Sequence, residues 1–254
     1  MPYTLVLYIF HEMNYRVEHF FKNAIFYHET TDFIVICNNL NIKFEHLLPT
    51  FVKVIKRENI GFDFGGWSDC ILDNKYHETS YYDYFIFVNS SVIGPFIPSY
   101  FNENWTNIYI NGLNSDVKLF GSTINAIVNP MKWSHVQSYI FAMDINTLQF
   151  LVEKNIFSKN HEKVFHDAIW KREVPMSRKI IENGWNIGCL FKPYKNIDFT
   201  FKNNNRKIMY IHDIFSKENR NNLWNDYDLV FIKGNRYDGS KEAPKNLNLK
   251  KLQF

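Results

Sequence analysis

At 254 residues and 46% hydrophobic content, the chain is long enough for one large α/β domain or for one domain with a small appendage, and a single domain is expected. A net charge of only +3, from 29 Lys and Arg against 26 Asp and Glu, supplies no strong field and argues against nucleic acid as a partner. Three widely spaced cysteines, Cys37, Cys70 and Cys189, form no CxxC pair and no metal-ligand spacing, so they read as ordinary thiols of a reducing, cytoplasmic compartment.

The opening MPYTLVLYIF has no basic n-region and no small-residue cleavage site, and its apolar run is far shorter than the roughly 20 residues of a membrane span. Residues 5–10 read as a buried strand. Helical spacing follows at Val17, Phe20, Phe21 and Ala24, and a second apolar run at 33–37 ends in Asn38 and Asn39. Strand, helix, strand opens a βαβ unit, which implies a right-handed crossover and a parallel sheet. The third strand is expected at 51–56, a helix from Trp67 to about Asn74, and a buried strand at 84–88 ending at Asn89. Further strands are expected at 117–123 and 136–143, and helices at 145–154 and 176–183, the last stopping at Gly184 before a short strand. Polar residues cluster at 201–206 and 216–222 as loops. The tail NLNLKKLQF reads as frayed, with peripheral contact to an anionic membrane as the other reading.

Open α/β sheets bind ligands beyond the carboxyl ends of their strands, which directs attention to RENIGFDFGGW at 57–67. Gly61, Gly65 and Gly66 let a backbone approach a ligand closely, while Arg57, Asn59 and Asp63 bring a fork donor, an amide and a carboxylate. That set suits a nucleoside diphosphate. After the strand YFIFV come Asn89, Ser90 and Ser91, where nucleotide-sugar enzymes often carry an Asp-x-Asp that holds a divalent ion on the donor phosphates. No Asp stands there. Asn89 and Ser91 still offer oxygen ligands for a weakly held ion, and an Asx or Ser turn into Gly94 and Pro95 explains the same residues.

Glu173 precedes a helix, where it suits either a general base for an acceptor hydroxyl or a carboxylate favourably placed at the helix dipole. Arg172 and Arg178 stand near it as candidates to neutralise a leaving diphosphate, or as solvated arginines. Asp144 ends an expected strand, with acceptor binding and helix N-capping as its alternatives, and His135 and Gln137 lie near that strand's start on the acceptor side. The adjacent pairs His166 with Asp167 and His212 with Asp213 are weak metal or phosphate candidates, because neighbours on a strand face opposite ways. No GxSxG elbow, P-loop, HExxH or strand-following GxGxxG occurs, which excludes several hydrolase, NTPase and dehydrogenase classes.

In this order, VLYIFHE, FIVICNN, KRENIGFDFGGW, YYDYFIFVNSSVIGPF, VKLFGSTIN, SHVQSYIFAMD and REVPMSRKIIENGW resemble the rhamnan synthesis protein F family of glycosyltransferases over roughly residues 5–195, with FIKGNR at 231–236 similar to a segment near the family's end. The resemblance implies a GT-A-like fold, a mostly parallel central sheet flanked by helices in one domain. Its core spans about 3–195, and residues 196–254 pack on it as an extension. It further implies transfer of a sugar, often a deoxysugar such as rhamnose, from a nucleotide-sugar donor to a glycan or lipid-linked saccharide. Family members often read Asn-Asp-Ser where this chain has Asn89, Ser90 and Ser91, which leaves dependence on Mg²⁺ or Mn²⁺ open. Residues 173–184 are similar to a Glu-Asp helix motif of family 2 glycosyltransferases, which gives Glu173 the base position in an inverting reaction. The donor is then expected near Tyr8, Asn38, Arg57, Asn59 and Asp63, with Gly65, Gly66 and Trp67 closing the turn and Asn89 and Ser91 by the diphosphate. A non-catalytic nucleotide-sugar or glycan-binding protein is the alternative, motivated by the absent acid.

Overall fold

The structure, a computed structural model, describes residues 2–126, 133–201, 208–211, 214–216, 218–220 and 222–236. Strand β1 (Thr4–Phe10) is buried along its whole length, as its unbroken apolar run requires of a central parallel strand. Its residues divide by parity between two cores: Leu5, Leu7 and Ile9 face one, and Val6, Tyr8 and Phe10 the other. Parallel neighbours flank it, β2 (Thr31–Cys37) on one side and β4 (Tyr84–Asn89) on the other, with β3 (Lys53–Lys56) beyond β2.

Beyond β4 come β9 (Ile140–Asp144), β6 (Val117–Gly121) and β10 (Asn186–Cys189), so the seven strands run β10-β6-β9-β4-β1-β2-β3. Only β9 is antiparallel to its neighbours. Helix α1 (Tyr15–Asn23) and α3 (Trp105–Ile110) cover one face; α2 (Phe62–Asp73), α4 (Ile145–Glu153) and α6 (Val174–Glu182) cover the other. The fold is thus the mostly parallel sheet with flanking helices that the sequence implied.

Two elements differ from expectation. The single strand expected at 136–143 is split: β8 (His135–Val136) pairs with β7 (Ile124–Asn125) in a separate ribbon, and β9 starts only at Ile140. The intervening residues direct their amides elsewhere, Gln137 to the Thr123 carbonyl at 3.1 Å and Ser138 to the Glu173 carboxylate at 2.8 Å. Helix α2 begins at Phe62 rather than Trp67, so GFDFGGW is not a turn but the opening of a helix. Gly61, at φ +77°, is its N-cap.

Parts of the C-terminal extension are integral to both cores, with Ile211, Ile214, Trp224, Leu229, Phe231 and Ile232 buried. Its strand β11 (Ile232–Lys233) pairs antiparallel with β5 (Val92–Ile93), directly after the turn that succeeds β4. The tail NLNLKKLQF and most of the polar loop at 201–206 lie outside the described residues.

Candidate active site

The chain passes from β1 outward to β2 and β3, then returns to place β4 on β1's other side, so the strand order reverses between β1 and β4. In open α/β sheets, ligands bind at such a reversal, beyond the carboxyl ends of the strands. The segments at those carboxyl ends are His11 after β1, Asn38 after β2, the loop 57–61 with the start of α2 after β3, and Asn89 at the end of β4.

Asn38 is buried and organises the loop. Its Nδ2 donates to Asn59 Oδ1 at 3.2 Å and to the Phe62 carbonyl at 3.0 Å, while its Oδ1 accepts from Arg57 Nη1 at 2.9 Å. Arg57 also donates to the Ile60 carbonyl at 2.7 Å and pairs with Asp69 at 2.8 Å. Lys159 and His161 grip the same Asp69 carboxylate, each at 2.9 Å. Burial opposes charge on Asp69, yet the Lys159 hydrogen bond with the Arg57 and His161 charges outweighs it and holds the carboxyl below its usual range. Arg57 therefore spends its fork on the loop that presents Asp63.

Asp63, in the first turn of α2, accepts from Asn89 Nδ2 at 3.0 Å. Burial pushes its carboxyl up to about 6; the Asn89 hydrogen bond and the His11 and Lys233 charges pull it down, and Glu173 adds to the rise. Glu173 thus stands within electrostatic reach of Asp63. A five-residue π-helical turn (Ile169–Glu173) delivers it, just before Pro175, which has no amide hydrogen to give, in the opening of α6. Its Oε1 accepts from the Ser138 amide rather than capping its own helix.

Two cations that the sequence reading did not select border the turn after β4. Asn14 caps α1 by accepting from the Arg16 and Val17 amides, and this sets Arg16 to donate through Nε to the Ser90 carbonyl at 3.0 Å. Lys233 arrives on β11, opposite Val92, and the Gly234 amide donates to the Ser91 carbonyl at 2.7 Å. The capping Asn shortly after an apolar strand is the sequence signal that could have found Arg16. FIKGNR stands out in the sequence, but its place beside β5 is not legible there.

Other expected site residues lie elsewhere. Trp67 is fully buried under the sheet among Phe64, Phe87 and Phe141. Gly65 and Gly66 serve packing: a Cβ would come within 2.2 Å of the Ile60 carbonyl oxygen at the first and of Ile9 Cδ1 at the second. Tyr8 is fully buried, stacked on Phe20 at 3.9 Å between centroids, and its hydroxyl has no hydrogen-bond partner among the described residues. Asp144 caps α4 through the Thr147 amide, pairs with Lys118 at 3.0 Å, and lies opposite Tyr84 at the amino edge of β4, away from the carboxyl ends of the parallel strands. Buried His135 bonds the Trp133 carbonyl, and Gln137 accepts from Thr123 Oγ1 at 2.8 Å. Arg172 is pinned by the Asn155 and Asn160 carbonyls and by Glu162, and Arg178 pairs with Glu182 at 3.7 Å. His166 accepts from the Trp170 indole and Asp167 pairs with Lys171, both at the surface; His212 and Asp213 lie outside the described residues.

The residues at Asn89 and Ser91 do not fit a divalent ion. Asn89 Oδ1, the oxygen a metal would need, accepts from both the Ser91 amide at 3.0 Å and the Ser91 hydroxyl at 2.6 Å. The neighbouring Ser90 carbonyl faces a guanidinium. Hard divalent cations take several oxygen ligands, and the carboxylate bonded to Asn89 is that of Asp63. Among the described residues no group of three or more His, Cys, Asp or Glu gathers in metal-binding geometry.

The sequence model of a family described as rhamnan synthesis protein F matches residues 33–220. No curated protein matches the chain. Among solved structures it is similar to a 4-diphosphocytidyl-2C-methyl-D-erythritol synthase from Anaerococcus prevotii, at 8% identity and a TM-score of 0.41, over 68% of this chain and 84% of that one. It is also similar to a cytidylyltransferase from Leptospira borgpetersenii, at 9% identity and a TM-score of 0.41, over 74% of each chain.

Proposed function

The chain belongs to the rhamnan synthesis protein F family, and we propose that it is an inverting glycosyltransferase that moves a sugar, rhamnose or another deoxysugar, from a nucleoside-diphosphate donor to a glycan or lipid-linked saccharide. The observation that carries this reading is that Glu173, held by the Ser138 amide, stands within electrostatic reach of Asp63, which accepts from Asn89 at the strand-order reversal. A carboxylate fixed by a backbone amide, near a second polar cluster at the carboxyl ends of the strands, suits a base beside a donor sugar. Among the described residues no helix is long and apolar enough to cross a membrane.

Glu173 takes the proton of the acceptor hydroxyl on the oxygen that Ser138 does not hold. The acceptor oxygen then bonds to the anomeric carbon as the bond from that carbon to the diphosphate oxygen breaks, and the nucleoside diphosphate departs with the electron pair. Asp63 and Asn89 orient the donor, and the loop held by Asn38 and Arg57 keeps Asp63 in position. Release of nucleoside diphosphate from a panel of nucleotide sugars, with and without saccharide acceptors, tests the reading. Glu173→Gln is expected to keep donor affinity and lose roughly 10²-fold or more in turnover, since general bases contribute about 10²- to 10⁴-fold. Equal turnover in the variant removes Glu173 from this role. A folded protein that binds a nucleotide sugar but releases no diphosphate from any donor is the non-catalytic binder.

A further inference from the structure

We propose that Arg16 and Lys233 hold the donor's diphosphate in place of a divalent ion, so that donor binding does not depend on metal. The proposal rests on the donor site described above. It starts from the misfit at Asn89: the oxygen a metal would use is committed to Ser91, and the carbonyl beside it already accepts from Arg16. Positive charge is supplied at this spot by side chains.

Arg16 uses Nε on the Ser90 carbonyl, and its two terminal nitrogens make no hydrogen bond among the described residues. Its stem is confined, since a Cβ on Gly234 would lie 3.0 Å from Arg16 Cδ. A guanidinium anchored through Nε presents its outer edge as a fork, the geometry that matches phosphate oxygens. Lys233 is half-buried, and its ammonium has no hydrogen bond or ion pair among the described residues although it lies within electrostatic reach of Asp63. A lysine with a carboxylate nearby and no ion pair is available to a second anion.

The Tyr8 hydroxyl is fully buried without a hydrogen-bond partner among the described residues, and it feels the charges of both Arg16 and Asp63. The pairing of β11 with β5 and the Gly234 bond to Ser91 fix Lys233 against the turn. Two monovalent side chains carry the same charge as one Mg²⁺ or Mn²⁺ ion and, unlike the ion, need no carboxylates to hold them.

Calorimetric titration of the full chain with UDP, dTDP, GDP and CDP, each with excess chelator and each with Mn²⁺, tests the proposal, alongside the matching nucleosides. One diphosphate is expected to bind with a Kd that differs by no more than about two-fold between chelator and metal. Lys233→Ala is expected to weaken that diphosphate by about ten-fold or more while leaving the nucleoside's affinity unchanged, and Lys233→Arg to recover most of the loss. Arg16→Ala should act in the same direction, with circular dichroism confirming that the variants fold. Binding that requires Mn²⁺, or metal-free binding that neither substitution affects, overturns the proposal and leaves the donor site standing. No binding of any nucleotide by the folded protein overturns the donor site itself, and the proposal with it.

Discussion

Asp63 sits where its charge is costly. Its carboxyl is raised to about 6 in the folded protein, against about 3.9 for an unfolded Asp, so the folded state holds the proton more tightly. Linkage sets the sign: Asp63's contribution to stability is fully present below about pH 4 and is lost as the pH rises through about 6, a change on the order of 2 to 3 kcal/mol. Asp63→Asn keeps an acceptor for Asn89 and removes the charge. In urea unfolding at pH 7.5 the variant is expected to be more stable than the parent by about that amount, with the gap narrowing towards pH 4.5. A variant that is less stable at both pH values contradicts this account of the site. The sequence revealed Asp63 through the glycines and amides around it, but it did not reveal Arg57's part, because the Asp69 and Ile60 partners are known only once the loop is folded.

Arg57 and the two helical glycines act at the level of the element, by fixing where α2 begins and how closely it lies on the sheet. Arg57→Ala strips Asp69 and Asn38 of a largely buried guanidinium; Lys159 and His161 still hold Asp69, so the expected cost by chemical denaturation is about 2 kcal/mol, from the lost charge-assisted hydrogen bonds. Gly65→Ala directs a methyl at a backbone carbonyl 2.2 Å away, whereas Gly66→Ala meets the flexible end of Ile9. The first is therefore expected to cost more, by about 1 to 3 kcal/mol, and the reverse order in thermal unfolding would show that α2 can shift on the sheet. These glycines also explain the misplaced helix start. Glycine lowers helix propensity, so GFDFGGW resembles a turn, and only tertiary packing shows that close approach outweighs that penalty. The split of the strand after His135 has a similar cause, because the Ser138 amide is claimed by a residue 35 positions away.

Across the whole molecule, the alternation of apolar runs and helical spacings made the mostly parallel sheet legible, but periodicity carries no information on strand direction. That gap explains Asp144. A strand's end marks the ligand edge only when the strand is parallel, and β9 runs the other way, which puts Asp144 at the opposite edge from Asn89. The position of Lys233 was likewise hidden, since it depends on β11 pairing with β5 across 139 residues of chain, from Ile93 to Ile232. The central claim is that this reversal point binds a nucleoside diphosphate, and the most direct test is the thermal midpoint of the protein with UDP, dTDP, GDP and CDP. Ligand at a hundred times its Kd adds about 2.7 kcal/mol, which in a chain of this size moves the midpoint by roughly 5 to 10 °C. The account predicts such a shift with one diphosphate and a smaller one in Lys233→Ala. No shift with any of the four, in a protein that unfolds cooperatively, would contradict it.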